Sequence, residues 1–236
     1  MEKVLTFRGK IGKLLSHNIT LWTIIVLIFA MTFWQDDLAF FLGLIFVLIL
    51  LWSRKWDWKF IGLEKAKSWR ELLFKSLIYS VLILIVVDII ITPFVEYVLD
   101  TSVDFSSVDG IRGNFLNYII FILIMWVIAA FGEEFVFRGL LVKRLGMLLG
   151  NSKLTMWIAV ILSSLLFGLG HEYQGVSGMI STGVVSLILG AIFIKNKNML
   201  WFTILTHGFY DVIGITLIYL SLEQDVYNVL KNLILN

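Results

Sequence analysis

The chain contains no cysteine, a single proline at Pro93, and few charged residues. The absence of cysteine excludes disulfides, thiolate metal ligands and cysteine nucleophiles. No Ser/Gly-rich or Pro-rich stretch marks a linker, so residues 1–236 are predicted to form a single domain. Charged residues make up 15% of the chain, whereas soluble domains usually carry about 25%. A surface with so little charge would not stay hydrated in water.

Long apolar stretches dominate the sequence instead, with 59% apolar residues and a mean hydropathy of +0.93. A helix needs roughly 20 apolar residues to cross the hydrocarbon core of a bilayer. We therefore predict an all-α fold, a polytopic bundle of seven or eight transmembrane helices. Residues 140–149 decide the count, because they either continue the fourth helix or form a separate amphipathic piece. The apolar stretches are 19–34, 38–52, 72–97, 115–132, 154–170, 176–194 and 200–222.

Basic residues are concentrated in alternate loops, and Lys and Arg in short loops mark the cytoplasmic side. The loop 96–109 between two of these basic loops is acidic. We therefore predict an integral membrane protein whose N-terminus is cytoplasmic. The N-terminal arm is not predicted to be a cleavable signal peptide, because two apolar stretches follow it without a small-residue cleavage pattern. The basic residues are Lys3, Arg8, Lys10, Lys13, Arg54, Lys55, Lys59, Lys65, Lys67, Arg70, Lys143, Arg144, Lys153, Lys195 and Lys197.

Charged side chains next to or within apolar helices are costly and usually face a cavity or a partner. Glu133, Glu134 and Arg138 directly follow the apolar stretch 115–132. If the helix continues, Glu134 and Arg138 lie at positions i and i+4, within reach of an ion pair. Glu133 is rotated by about 100° from Glu134 and so points elsewhere. The alternative is that all three form a solvated helix end at the cytoplasmic interface.

Two histidines also lie at apolar stretches. His171 follows the stretch 154–170, where a cap or an interfacial residue is the alternative to a functional role. His207 and Asp211 lie at i and i+4 on one face of the last stretch, where a buried structural pair is the alternative. Asp88 is a further intramembrane carboxylate, and we interpret it as a satisfied interhelical polar contact.

Together, Glu133, His171, His207 and Asp211 could support hydrolysis by an activated water. A carboxylate can take a proton from water, a second group can orient that water, and hydrogen-bond donors can stabilise the oxyanion. No serine in an elbow motif is available for covalent catalysis. Ser163 and Ser164 are predicted to serve helix packing.

These residues resemble the motifs of the type II CAAX prenyl endopeptidases and bacterial Abi proteins, the CPBP/Abi family associated with bacteriocin processing and self-immunity. The family shows two glutamates with an arginine four residues after the second, then Phe with His four residues later, then His with Asn or Asp four residues later. Here these are Glu133, Glu134 and Arg138, then Phe167 and His171, then His207 and Asp211. The resemblance covers about residues 115–222, and residues 111–222 are the predicted catalytic core. Residues 1–110 match only as membrane helices of unspecified role.

The resemblance implies an intramembrane endopeptidase that hydrolyses a peptide bond in a membrane-associated peptide or protein. It implies that Glu133 activates water with help from His171, and that His207 and Asp211 bind the oxyanion or complete the polar site. Glu134, Arg138 and Phe167 would then be supporting residues. Many relatives carry Asn where this chain has Asp211, and ionised Asp cannot donate a hydrogen bond. No cofactor is required in the favoured interpretation, but Glu133, His171, His207 and Asp211 also suit Zn²⁺.

Two other classes of function fit the same residues. One is a non-catalytic immunity or scaffold protein that binds a partner membrane protein. The other is a proton-coupled transporter with a relay through Glu133, His171 and His207. A peptidase needs these groups around one water, whereas a relay needs them spaced along a path across the membrane. The expected partners are the lipid bilayer and the substrate, with no nucleic acid, and the expected location is a bacterial plasma membrane.

Overall fold

A computed structural model of the chain describes residues 6–234, and within that range it contains helices and no strand. The all-α prediction is therefore confirmed. Lys3 of the predicted basic arm lies outside the described residues. The helices are α1 (Phe7–Leu15), α2 (Asn18–Thr32), α3 (Asp36–Ser53), α4 (Trp69–Leu99), α5 (Phe115–Leu148), α6 (Lys153–Leu169), α7 (Gly175–Lys195), α8 (Leu200–Tyr219) and α9 (Glu223–Ile234).

Each predicted apolar stretch corresponds to one helix from α2 to α8. Four helices are long and apolar enough to cross a membrane: α4, α5, α7 with the short turn before it, and α8. The bent pair α1 and α2 raises that number to five if it is one span, and α3 and α6 are shorter apolar helices. The chain is thus an integral membrane protein, while the count of seven or eight spans stays a prediction.

The fourth helix is longer than its apolar stretch suggested. α5 runs without a break through Glu133, Glu134 and Arg138 to Leu148. Residues 140–148 therefore belong to this helix, and residue 149 lies just beyond its end. The segment Met125–Leu145 has π-helical backbone, a geometry that is rare and often found at functional sites.

Much of the helical surface is apolar and exposed. Phe115, Leu116, Leu123 and Val127 on α5 each expose more than 60% of their surface. Exposed apolar area of this kind is what a lipid-facing helix presents, because hydrocarbon chains solvate it without cost. The hydrophobic effect therefore does not hold these helices together in the bilayer, and close packing and polar contacts must do so.

Small residues provide that close packing between α6 and α7. A Cβ on Gly168 would lie 2.6 Å from the carbonyl oxygen of Met179 and 3.2 Å from the Cα of Gly183. Ser163 and Ser164 are buried, as predicted. The hydroxyl of Ser163 donates to the carbonyl of Phe137 on α5 at 3.1 Å. These contacts hold the end of α6, and with it His171, against α5.

The sidedness of the chain is testable. Seven antiparallel spans with a cytoplasmic N-terminus would leave residues 222–236 on the opposite side of the membrane. We expect a phosphatase reporter fused after Asn236 to be active and a cytoplasmic fluorescent reporter at the same point to stay dark. The same pair of reporters placed in the basic loop at Lys65 serves as the control and should give the reverse result. A cytoplasmic C-terminus would show that the number of spans is even.

Candidate active site

A buried charge network joins α5 to α8. The Nη1 atom of Arg138 donates to Oε1 of Glu134 at 2.8 Å, and Nδ1 of His207 lies 2.9 Å from the same oxygen. The side chains of Glu134 and Arg138 are at most 1% exposed and that of His207 is 5% exposed. Because a carboxylate oxygen only accepts, the Nδ1 atom of His207 carries the hydrogen in this contact.

Arg138 is also bound by α7 and covered by α6. Its Nη2 atom donates to the carbonyl of Ser186 at 2.9 Å and to the hydroxyl of Ser186 at 3.0 Å. Its guanidinium lies 5.3 Å from the ring centre of Phe167. A solvated helix end would leave these groups exposed, so that alternative interpretation of the cluster is wrong. Nothing in the local sequence pointed to Ser186, since it lies 48 residues away.

Glu133 and Asp211 approach the other nitrogen of His207. The Nε2 atom lies 3.8 Å from Oε2 of Glu133 and 3.5 Å from Oδ2 of Asp211. The side chains of Glu133 and Asp211 are 19% and 14% exposed, more than that of Glu134. The imidazole of His207 thus lies between three carboxylates, of which Glu134 makes the shortest contact.

His171 approaches the same group from the end of α6. Its ring stacks on Phe167 with the centres 4.6 Å apart, and Phe167 in turn lies edge-on to His207 with the centres 6.0 Å apart. The Nδ1 atom of His171 lies 2.7 Å from the carbonyl of Phe167. Since a carbonyl only accepts, Nδ1 carries the hydrogen there, and Nε2 of the neutral ring is the basic nitrogen.

All four predicted catalytic residues line one cavity of about 250 Å³: Glu133, His171, His207 and Asp211. The backbone after His171 forms a short 3-10 turn, Glu172–Gln174, and Tyr173 and Gln174 line the cavity. Irregular backbone at membrane depth is tolerated where it borders a cavity. The convergence of the four groups on one space differs from the extended chain of groups that a proton relay needs.

A second cavity, of about 190 Å³, reaches Glu133 from the side of α2 and α3. Glu133, Phe167, His171 and Tyr173 border both cavities, whereas His207 and Asp211 border only the first. Glu133 is therefore accessible from two sides. No sequence pattern indicates this access, because it depends on how the α2–α3 hairpin packs against α5.

Two further polar residues, Asp88 and Tyr210, line the larger cavity. The hydroxyl of Tyr210 donates to Oδ1 of Asp88 at 3.0 Å and joins α8 to α4. The interpretation of Asp88 as an interhelical contact is therefore confirmed. Tyr210 was not predicted as a site residue, because the motif contains its neighbour Asp211 instead.

Zinc was the alternative partner for Glu133, His171, His207 and Asp211. Among residues 6–234, no three His, Cys, Asp or Glu side chains are grouped closely enough to hold a metal ion. Oδ2 of Asp211 and Oε2 of Glu134 are buried without a hydrogen-bond partner among the described residues. The donor set as arranged does not fit a bound metal, and no step below is assigned to one.

The fold and the site define a polytopic helical membrane protein with a water-accessible group of carboxylates and histidines on helices that otherwise face lipid. A family model described as "Type II CAAX prenyl endopeptidase Rce1-like" matches residues 115–213. The resemblance to the type II CAAX prenyl endopeptidases is thereby confirmed for the segment that carries every predicted site residue. The comparisons with curated proteins and with solved structures give no significant match. The match supports an intramembrane endopeptidase of the CAAX-protease type.

Proposed function

We propose that the chain hydrolyses a peptide bond in a membrane-associated substrate by means of a water that Glu133 activates. The convergence of Glu133, His171 and His207 on one cavity carries the proposal. A general base must lie within hydrogen-bond reach of the water it deprotonates, directly in the space that the substrate enters. We further propose that residues 111–222 form the catalytic core of a single domain, in a bacterial plasma membrane with the N-terminus in the cytoplasm.

The two neighbouring glutamates have different roles in this proposal. Oε1 of Glu134 accepts hydrogen bonds from Arg138 and His207, and its side chain is fully buried. A carboxylate held in this way orients its partners and has no access to water. Glu133 has only the longer contact to His207 and borders both cavities. The base is therefore Glu133.

In the first step a water proton passes to the carboxylate of Glu133 while the water oxygen bonds to the carbonyl carbon of the substrate. The basic Nε2 atom of His171 orients that water. His207, as an imidazolium, keeps Nδ1–H on Glu134 and directs Nε2–H to the oxyanion. In the second step the carbon–nitrogen bond breaks, and Glu133 returns the proton to the leaving amine.

Asp211 distinguishes this mechanism from a metal-dependent one. Asn can donate a hydrogen bond to an oxyanion, whereas ionised Asp cannot. We expect Asp211→Asn to retain cleavage to within about tenfold, the scale of one modified hydrogen bond, with no change in bound zinc. Cleavage rate and zinc content by plasma mass spectrometry check this in the same samples. Joint loss of zinc and activity would instead show that Asp211 is a metal ligand. Asp88→Asn is the matched control, because Asp88 lines the same cavity but is bound by Tyr210.

The proposal itself is tested with purified protein in liposomes and a library of membrane-anchored peptides, some of them prenylated. The reaction is run in ¹⁸O-labelled water, with Glu133→Gln protein as the blank. We expect products that carry one ¹⁸O atom in the new carboxylate and that are absent from the blank. No cleavage of any library member, or equal cleavage by the blank, would contradict the proposal and favour a non-catalytic binding protein.

A further inference from the structure

Three arginines gather where the N-terminal helix meets the ends of α3 and α5. We call Arg8, Arg54 and Arg144 the arginine cluster. α1 bends away from α2 by 65° and so does not continue its direction. The Nε atom of Arg8 donates to the carbonyl of Trp52 at 2.5 Å, and its guanidinium lies 5.2 Å from the ring centre of Trp52. These contacts fix α1 against the end of α3.

Phe60 holds the other two arginines together. The guanidinium carbons of Arg54 and Arg144 lie 3.9 Å and 3.2 Å from the centre of its ring. Two guanidinium groups so close to one ring centre would overlap on a single face, so they lie on opposite faces. Nη2 of Arg144 also donates to the carbonyl of Phe60 at 2.7 Å, and Nη1 of Arg54 donates to the hydroxyl of Ser16 at 3.1 Å.

The cluster has buried donors without acceptors. Nη2 of Arg8, Nε of Arg54 and Nε of Arg144 are buried and make no hydrogen bond to any residue that the structure describes. None of the three arginines is in an ion pair within residues 6–234, where the salt bridges involve other side chains. Like charges held together in this way repel one another, and buried donors without partners are costly. Both costs are removed by a shared anion.

Neighbouring aromatic residues indicate which anions the cluster can reach. The rings of Trp56 and Trp58 stack 5.7 Å apart, and both residues are exposed. Exposed tryptophans beside basic residues are typical of the headgroup level on the cytoplasmic side of a membrane. Nζ of Lys143 donates to the carbonyl of Lys59 at 2.9 Å and adds a further cation there.

We propose that the arginine cluster binds the phosphate group of an anionic membrane phospholipid. Guanidinium groups match phosphate oxygens in geometry and form charge-assisted hydrogen bonds with them. Basic pockets at the cytoplasmic ends of membrane helices bind anionic headgroups in the same way. The bound lipid would connect α1, α3 and α5, so it would stabilise the N-terminal arm and the helix that carries Glu133.

Thermal unfolding of the purified protein in an uncharged detergent tests the proposal, with short-chain phosphatidylglycerol titrated in. A ligand that binds the folded protein raises the unfolding midpoint with its concentration. We expect this rise for the natural chain and an apparent Kd at least about tenfold weaker for Arg54→Gln/Arg144→Gln. The charge-matched control is Lys195→Gln/Lys197→Gln, in another predicted cytoplasmic loop, and its Kd should stay unchanged.

Two further arms identify the source of the phosphate. Zwitterionic phosphatidylcholine and inorganic phosphate should each raise the midpoint less than phosphatidylglycerol does. An equal effect of either, or an equal loss of affinity in the lysine control, would overturn the proposal. If the double variant does not fold, Arg144→Lys keeps the charge but loses the planar fork of donors. Native mass spectrometry should then show fewer retained phosphatidylglycerol molecules, and an unchanged number would also overturn the proposal.

Discussion

Glu133→Gln protein is expected to fold normally and to lose at least about 100-fold in turnover, the usual contribution of a positioned general base. Gln keeps the size of the side chain and its hydrogen-bonding capacity but cannot take a proton from water. Because the nearest charged partner of Glu133 among the described residues is His207, at 3.8 Å, the thermal midpoint should change little. Initial cleavage rates of a library substrate and the unfolding midpoint are the two measurements.

The control for this prediction is Glu172→Gln, which removes an exposed carboxylate next to His171 without touching the cavity. Its turnover should equal that of the natural chain. His171→Ala should also lose about 100-fold, and the double variant with Glu133→Gln should lose little more, since residues that act as a unit are not additive. Substantial cleavage by the Glu133→Gln protein would contradict the mechanism.

Arg138→Ala should destabilise the protein by about 3–5 kcal/mol, the cost of leaving one partner of a buried ion pair uncompensated. The change removes the 2.8 Å contact to Glu134 and both contacts to Ser186. Protein yield, the unfolding midpoint and activity should all fall together. Arg138→Lys should recover part of the stability, because it restores the charge but lacks the planar fork of donors that binds Glu134 and Ser186.

The chain offers a matched control in another pair of the same spacing. Lys75 and Glu71 are also four residues apart and in contact, but both side chains are more than half exposed. Exposed pairs contribute little because water solvates either partner alone. Lys75→Ala should therefore leave the unfolding midpoint unchanged. A fully stable and fully active Arg138→Ala protein would show that the buried pair is dispensable.

Local spacing accounts for much of what the sequence predicted. Apolar stretches located the helices because lipid selects for length and hydropathy. The i, i+4 rule correctly paired Glu134 with Arg138 and brought His207 near Asp211. The apolar stretch 115–132 left open whether α5 continues, because charged residues normally stop a membrane helix. Here the helix continues, since the charges find partners inside the bundle.

Contacts between distant helices could not be predicted in this way. Glu134 and His207 are 73 residues apart and meet only because α5 and α8 pack at one particular rotation. The same holds for Tyr210 and Asp88, which are 122 residues apart. Helical periodicity gives the face of each helix but not the partner of that face. The two cavities that share Glu133 are likewise a property of packing.

The pairing of Glu134 with Arg138 also bears on how the chain is inserted during synthesis. Both residues lie one turn apart on α5, so they can neutralise each other as soon as that helix forms, before α7 and α8 are made. The cost of moving a lone charge into lipid is then largely avoided. Arg138 gains Ser186, and Glu134 gains His207, only when the later helices arrive. The order of residues along the chain therefore lets α5 enter the bilayer carrying its own counter-ion.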